Sequence, residues 1–111
     1  IIRRIHDRIT EDLRRRYTID ELSRQYTINT AALKAVFKSV YGLPIASYMK
    51  HYRISRAAQM LRETDESISS ISASVGYESQ SKFSKAFKDV MNILPTDYRK
   101  KMLVNQTLTR E

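Results

Sequence analysis

Apolar residues recur along this chain at intervals of three, four and seven positions, which is the spacing that places side chains on one face of a helix. The pattern occurs twice. One set of matches is separated by 49 residues and pairs Ile19, Leu22, Tyr26 and Ile28 with Ile68, Ile71, Val75 and Tyr77. A second set is separated by 50 residues and pairs Leu33, Phe37, Lys38, Val40 and Tyr48 with Phe83, Phe87, Lys88, Val90 and Tyr98. The second copy therefore has one extra residue near Glu78, and the pattern predicts a duplicated helical unit.

Each copy is expected to contain two short helices separated by a break. The breaks fall at Thr27-Ile28-Asn29 and at Gly76-Tyr77-Glu78-Ser79. Glycine adopts a positive φ without steric cost, as a turn between helices often requires, and Asn29 and Ser79 are favourable N-caps. The pattern predicts helix-turn-helix units with helices at about 19–26 and 30–41, and again at about 68–75 and 80–91. In the second helix of each unit we expect an inward face of Leu33, Val36, Phe37 and Val40, matched by Phe83, Ala86, Phe87 and Val90.

The remaining segments complete a helical chain. An apolar stripe that ends at Leu13 predicts an amphipathic helix over about residues 1–15. Pro44 suits the first turn of a helix that runs to about Arg62, and Pro95 opens a last short helix. The polar residues from Lys100 onward are expected to fray. We predict an all-α fold with helix-turn-helix subdomains at 1–43 and 63–100, a linker helix at 44–62 and a C-terminal tail at 101–111.

The net charge of +8 favours a polyanionic partner such as nucleic acid or an acidic membrane. Its distribution follows the second helix of each unit and the segment after that helix. Residues 28–62 contain six lysines and arginines and no acid, whereas residues 79–101 contain six against two acids. A plain solvated surface is the alternative reading of this charge.

Several classes of protein are disfavoured by composition. The chain has no cysteine, and its two histidines, His6 and His51, lie far apart, so we expect neither a disulfide nor a metal site. No apolar run approaches the ~20 residues of a membrane span, and no signal peptide is present, which favours a cytoplasmic location. Catalytic motifs such as a P-loop are absent. We therefore expect no enzyme activity and no cofactor.

Specific segments resemble the AraC/XylS type of bacterial transcription regulator over about residues 2–100. The second copy carries ISASVGYESQSKF at 71–83, then Phe87-Lys88 and Pro95-Thr96-Asp97-Tyr98-Arg99. The first copy adds Leu33, Phe37-Lys38, Tyr41-Gly42, Tyr48 and Arg53-Ile54. Departures are Ser72 in place of the usual Ala, Asn92 in place of the usual Gly, and Ala31, Ala32 and Ala35 where larger polar readers often sit.

The resemblance implies about seven helices and a bacterial, nucleoid-associated regulator that binds double-stranded DNA. It implies that residues 30–41 and 80–91, which we call the reading helices, enter the major groove to activate or repress transcription. RNA polymerase is then an expected partner. Many family members carry an effector-binding or dimerising domain ahead of this one, and the start at Ile1 rather than Met suggests such a domain here.

Opposite the expected core, each reading helix offers candidate contacts to bases. These are Thr30, Ala31, Lys34 and Ala35 in the first copy and Gln80, Ser81, Ser84 and Lys85 in the second. Lys34 and Lys85 suit guanine, Gln80 suits adenine, and alanines can pack on thymine methyl groups. Candidate contacts to phosphate are Asn29, Lys38, Arg53, Ser79, Lys82, Lys88 and Arg99. An ion pair that fixes the last helix is an alternative role for Arg99.

The linker helix suggests how both units could bind one duplex. About 18 residues span roughly 27 Å, a little less than the roughly 34 Å of one turn of B-DNA. A stiff helix of that length would set the reading helices at adjacent major-groove segments, with a small DNA bend closing the difference.

The alternative function is a helical protein-interaction module whose basic face binds an acidic partner. Single-stranded RNA binding would require exposed aromatic residues, but the aromatic residues fall on the inward period.

Overall fold

This computed structural model describes residues 1–110, except for the side chains of residues 109 and 110. These residues contain seven α-helices. The helices are α1 (Ile2–Glu11), α2 (Ile19–Gln25), α3 (Thr30–Tyr41), α4 (Ile45–Glu63), α5 (Ile68–Ser74), α6 (Gln80–Met91) and α7 (Pro95–Arg110). The predicted all-α class is confirmed. The chain divides into two compact units, one of residues 1–52 and one that begins at Arg53, so the division falls within α4.

Side-chain caps fix where the short helices begin. The Thr18 hydroxyl accepts a hydrogen bond from the Glu21 amide at 3.1 Å, and the Glu21 carboxylate accepts one from the Thr18 amide at 3.0 Å. Asn29, Ser67 and Ser79 each accept a hydrogen bond from the backbone amide three residues later, at 2.9, 3.0 and 3.1 Å. Each cap satisfies an amide that has no partner within its own helix. The two reading helices thus start at the residues that the sequence predicts.

The first unit has a core of apolar residues around α3. Ile5 and Ile9 of α1, Leu22 of α2, and Leu33 and Phe37 of α3 are all at most 3% exposed. Both α1 and α2 pack against α3. Leu33 and Phe37 lie one helical turn apart, so their burial fixes the rotation of α3 about its own axis.

A cluster of aromatic rings secures the C-terminal half of α3. The His6 ring stacks on Tyr41 with ring centroids 4.5 Å apart, and His6 Nε2 lies 2.7 Å from the Tyr48 hydroxyl. The ring centroids of Phe37 and Tyr41 are 4.7 Å apart. Burial raises the pKa of the Tyr48 hydroxyl, and the neighbouring Tyr52 and Tyr41 phenols raise it further. The cluster therefore joins α1, α3 and the first half of α4 through ring contacts.

The second unit repeats this arrangement around α6. Phe83 and Phe87 are fully buried, as is Ile71 of α5. Phe87 packs edge-on against Tyr98 of α7, with ring centroids 5.5 Å apart. Arg62 Nη1 donates a hydrogen bond to the Tyr98 hydroxyl at 2.7 Å, so this buried ring has a polar partner at its outer end. Tyr98 thus occupies the place in this unit that Tyr48 occupies in the first.

The turns between the paired helices share a hydrogen-bond pattern. The Ile28 amide donates to the Ser23 carbonyl and the Tyr77 amide to the Ser72 carbonyl, both at 3.0 Å. In addition, the Ser23 hydroxyl donates to the Ile28 carbonyl, and the Ser72 hydroxyl donates to the Ser79 carbonyl at 3.3 Å. A serine at this position therefore does more than permit close helix packing, because it satisfies a carbonyl of the turn.

Two expected inward residues of α3 are exposed instead. Val36 is 39% and Val40 57% exposed. The inward stripe of α3 runs along Leu33 and Phe37, which are buried, and Tyr41, which is partly exposed and joins the aromatic cluster. In α6 the matching Ala86 is only 7% exposed, so that prediction is confirmed.

The first and last helices differ in length from the prediction. The first helix ends at Glu11, because Asp12 turns the chain and accepts hydrogen bonds from the Arg14 amide and guanidinium at 3.1 Å. Hydrogen bonds from the Arg14 side chain and then its amide hold the pKa of Asp12 below its usual value. The last helix continues from Pro95 to Arg110 rather than ending near Lys100. The extension contains neither Gly nor Pro, and elongating a formed helix avoids the unfavourable nucleation step.

The turn of the first unit carries backbone strain that the second unit avoids. Thr27 has φ 52°, whereas Gly76, its match in the repeat, has φ 93°. A β-branched residue is strongly disfavoured at positive φ, but glycine is not.

We predict that Thr27→Gly raises the free energy of unfolding by about 0.5–1 kcal/mol, because relief of the strain exceeds the added entropy of the unfolded chain. Urea unfolding followed by circular dichroism measures the change. The reciprocal variant Gly76→Thr should be destabilised. A Thr27→Gly midpoint at or below that of the wild type would contradict the strain argument.

Candidate nucleic-acid interface

The outer face of α3 is positive and carries small side chains. Because Leu33 and Phe37 are buried, residues on the other side of the helix point to solvent. The predicted base contacts Thr30, Ala31, Lys34 and Ala35 are all exposed, as is Lys38. Lys34 and Lys38 lie one helical turn apart, and α3 contains no acid. This face therefore combines two lysines with short side chains that permit close approach.

The outer face of α6 is more polar. Gln80, Ser81 and Lys85 are exposed, and Ser84 is partly exposed. Two further lysines, Lys82 and Lys88, are also exposed. The structure thus places each predicted base contact of both reading helices on an accessible surface of its own unit.

The cap residues Asn29 and Ser79 have intramolecular roles. Both side-chain oxygens accept hydrogen bonds from amides in the first turn of their own helices. A phosphate near either helix N-terminus would therefore interact with the positive end of the helix dipole rather than with these oxygens.

Arg53, a predicted phosphate contact, belongs to the core of the second unit. It is 4% exposed, and its Nη1 donates a hydrogen bond to the Val75 carbonyl at 2.8 Å. The prediction is wrong for this residue, because the guanidinium is occupied inside the protein. A sequence signal was present: Arg53 shares a helix face with Ala57 and Leu61, at spacings of four and eight, and both are buried.

Arg99, also predicted to bind phosphate, instead fixes the C-terminal end of α4. It donates hydrogen bonds to the carbonyls of Leu61 at 3.2 Å, Thr64 at 3.2 Å and Glu66 at 2.7 Å. The observed acceptors are backbone carbonyls, so the alternative of an ion pair is also replaced. A cation at a helix C-terminus satisfies carbonyls that have no partner within the helix and interacts favourably with its dipole.

Sequence reasoning did not assign a role to Glu78, which lies beside the second reading helix. Its Oε2 is 3.0 Å from Lys82 Nζ in the first turn of α6. The sequence did contain a signal for this residue, because the single extra residue of the second repeat falls in this turn. One of the predicted phosphate contacts therefore has a carboxylate partner within the protein.

Similarity searches connect the chain to transcription regulators. A family model described as a helix-turn-helix domain matches residues 22–101. An AraC-like transcription regulator of Streptomyces lividans is 39% identical over 89 residues, which make up 80% of this chain and 29% of that protein. The HTH-type transcriptional activator RhaR of Mannheimia succiniciproducens is 27% identical over 95 residues, or 86% of this chain and 34% of that protein. The chain thus spans about a third of the length of these curated relatives.

Solved structures share the fold. The C-terminal domain of AraT, a response regulator from Geobacillus stearothermophilus, superimposes with a TM-score of 0.83 and 27% identity over 90% of this chain and 84% of that chain. The DNA-binding domain of AdpA, solved in complex with a target DNA, gives a TM-score of 0.89 over 96% of both chains. At 16% identity the second likeness concerns the fold alone.

Within residues 1–110, no helix combines the length and the apolar composition that crossing a bilayer requires.

We predict that Arg99→Ala lowers the free energy of unfolding by about 1–2 kcal/mol, because three carbonyls lose a charged donor at a partly exposed site. Urea unfolding provides the measurement. The control is Lys100→Ala, which removes an exposed neighbouring charge and should change the free energy by less than about 0.5 kcal/mol. Equal effects of the two substitutions would contradict the structural role of Arg99.

Proposed function

This chain belongs to the AraC-type family of helix-turn-helix transcription regulators, and we propose that it binds double-stranded DNA sequence-specifically through α3 and α6. The observation that carries the proposal is the same in both units. Each of these helices buries two residues one turn apart, Leu33 and Phe37 or Phe83 and Phe87, and turns lysines outward. A helix held in this way can enter a major groove as a rigid element.

Base recognition by the two helices would use different chemistry. In α6, Gln80 can form two hydrogen bonds with adenine, and Lys85 can donate to guanine O6 and N7. In α3, Lys34 can bind guanine in the same way, while Ala31 and Ala35 can pack against thymine methyl groups. Thr30, Ser81 and Ser84 are the remaining candidates, with hydroxyls that suit several bases.

Phosphate binding would come from the lysines farther along or beside each reading face. Lys38 and Lys88 lie in the last turns of α3 and α6. Lys82 lies in the first turn of α6, where the Glu78 carboxylate, 3.0 Å from its Nζ, limits its contribution to phosphate binding. The helix N-termini capped by Asn29 and Ser79 add favourable partial charge. Such contacts set the register of the protein on DNA but carry no sequence information directly.

The linker helix supports a proposal about spacing. The fourth helix has 19 residues, which corresponds to roughly 28 Å of helix length. We propose that this length allows α3 and α6 to occupy adjacent major-groove segments of one duplex, separated by about one helical turn.

Regulation of transcription and its protein partners extend the same proposal. The relative from Mannheimia succiniciproducens is described as a transcriptional activator, and this chain matches only part of its length. We propose that the chain acts as the DNA-binding part of a regulator that affects RNA polymerase, together with an effector-binding or dimerising domain. The proposed function involves no enzyme activity.

A protein-interaction module remains the second candidate, and one observation favours it. Val36, Val40 and Leu43 are 39%, 57% and 38% exposed, which gives the first unit an apolar surface beside its basic face. Electrophoretic mobility shifts with random duplexes at low salt distinguish the two candidates. Retardation supports DNA binding, whereas its absence supports binding of an acidic protein partner.

We predict that Lys85→Ala reduces affinity for a selected site by about 1–3 kcal/mol and has a smaller effect on random DNA, because a base contact is lost. Fluorescence anisotropy titrations with both duplexes measure the difference. Equal losses on selected and random DNA would contradict the assignment of Lys85 to base recognition.

The matched variant Lys88→Ala should instead weaken binding to all sequences alike. Because it removes one phosphate contact, the slope of log K against log salt should decrease in magnitude by about 0.9. A loss confined to the selected site would contradict the phosphate assignment of Lys88.

A further inference from the structure

Glu78 introduces a negative charge at the end of α6 that is expected to meet DNA. It lies in the turn directly before the N-cap Ser79, and the sequence has no other acid between Glu66 and Asp89. Its Oε2 lies 3.0 Å from Lys82 Nζ. The N-terminal residues of a recognition helix are the ones that reach base edges, so this carboxylate stands beside the reading surface.

The first unit has no equivalent of this ion pair. Lys82 corresponds to Ala32 in the repeat, and the segment from 28 to 62 contains no acid. Glu78 itself is the position at which the repeat spacing changes from 49 to 50 residues. The pair is therefore a feature added to one of two otherwise similar units.

Folding of the second unit does not depend on this ion pair. The Lys82 side chain is 67% and the Glu78 side chain 84% exposed, and ion pairs at such sites contribute little to stability. Burial of Phe83 and Phe87 holds α6, and the Ser79 hydroxyl caps it. Both side chains of the pair are thus accessible from solvent.

We propose, on the basis of the DNA binding proposed above, that Glu78 is a specificity-determining residue that suppresses sequence-independent binding. The carboxylate neutralises Lys82, so the pair contributes no net positive charge that would displace counterions from the DNA phosphates. Its own charge is also repelled by the DNA backbone.

The effect should be larger on random DNA than on a selected site. In a complex without base contacts, α6 is able to adopt whichever register gives the most phosphate contacts. At a selected site, contacts from Gln80 and Lys85 fix the register, which restricts how far Lys82 is able to move toward a phosphate. By neutralising Lys82, Glu78 therefore lowers the affinity for random DNA more than the affinity for a selected site.

The experiment compares Glu78→Gln with the wild type by anisotropy titration over a range of salt concentrations, with a random duplex and a selected site. On random DNA we expect the salt slope to increase in magnitude by about 0.9 and the affinity to increase about eightfold at 0.1 M salt, as one additional phosphate contact predicts. The ratio of specific to random affinity should fall.

Two further variants separate local from general charge effects. Asp65→Asn makes the same change in net charge at an exposed residue in the loop between α4 and α5 and should leave the salt slope close to that of the wild type. The double variant Glu78→Gln/Lys82→Gln removes both members of the pair and should return the slope to the wild-type value. Circular dichroism spectra check that all variants fold.

Each alternative outcome contradicts a defined statement. An unchanged slope in Glu78→Gln, an equal change in Asp65→Asn, or equal gains on random and selected DNA overturns the inference about Glu78 and leaves the proposed function standing. Failure of the wild type to bind either duplex overturns the proposed function itself.

Discussion

Burial of two side chains one turn apart on each reading helix is the contact on which the candidate interface depends. Leu33 and Phe37 in α3, and Phe83 and Phe87 in α6, are all fully buried. Successive residues on a helix point about 100° apart, so anchoring two residues four positions apart fixes the rotation of the whole helix. Which side chains face outward then follows from the sequence. A substitution that weakened the burial of either pair would therefore change which side chains face outward, without replacing any of those side chains.

Much of this arrangement could be predicted from the sequence because its determinants are local. Cap residues and the repeated apolar spacing lie in the helices whose ends and buried faces they determine, and the exposed lysines lie on the same helices. The all-α class with two repeated units follows from these local features. The errors concern residues whose partners come from elsewhere in the chain. Arg53 and Arg99 bind carbonyls 22 and at least 33 positions away, respectively. Neither partner choice is encoded in a short window of sequence.

The two units share a plan but differ in three places that bear on function. The turn of the first unit has strained Thr27 where the second has Gly76. The outer face of α3 is built of alanines and lysines, whereas that of α6 adds Gln80 and serines. The second unit alone has Glu78 beside its reading helix. Under the proposed DNA binding, these differences suit a division of roles in which α6 supplies more hydrogen-bond recognition and α3 supplies more apolar contact.

Selection of bound sequences from a pool of random duplexes tests the central proposal most directly, since it requires both reading helices to contact one duplex at once. The account predicts an enriched site with two short motifs about one helical turn, roughly 10 base pairs, apart. Repeating the selection with Gln80 and Lys85 both changed to Ala should erase one motif and retain the other. A single motif in the wild-type selection, or loss of both motifs in the variant, would contradict the account.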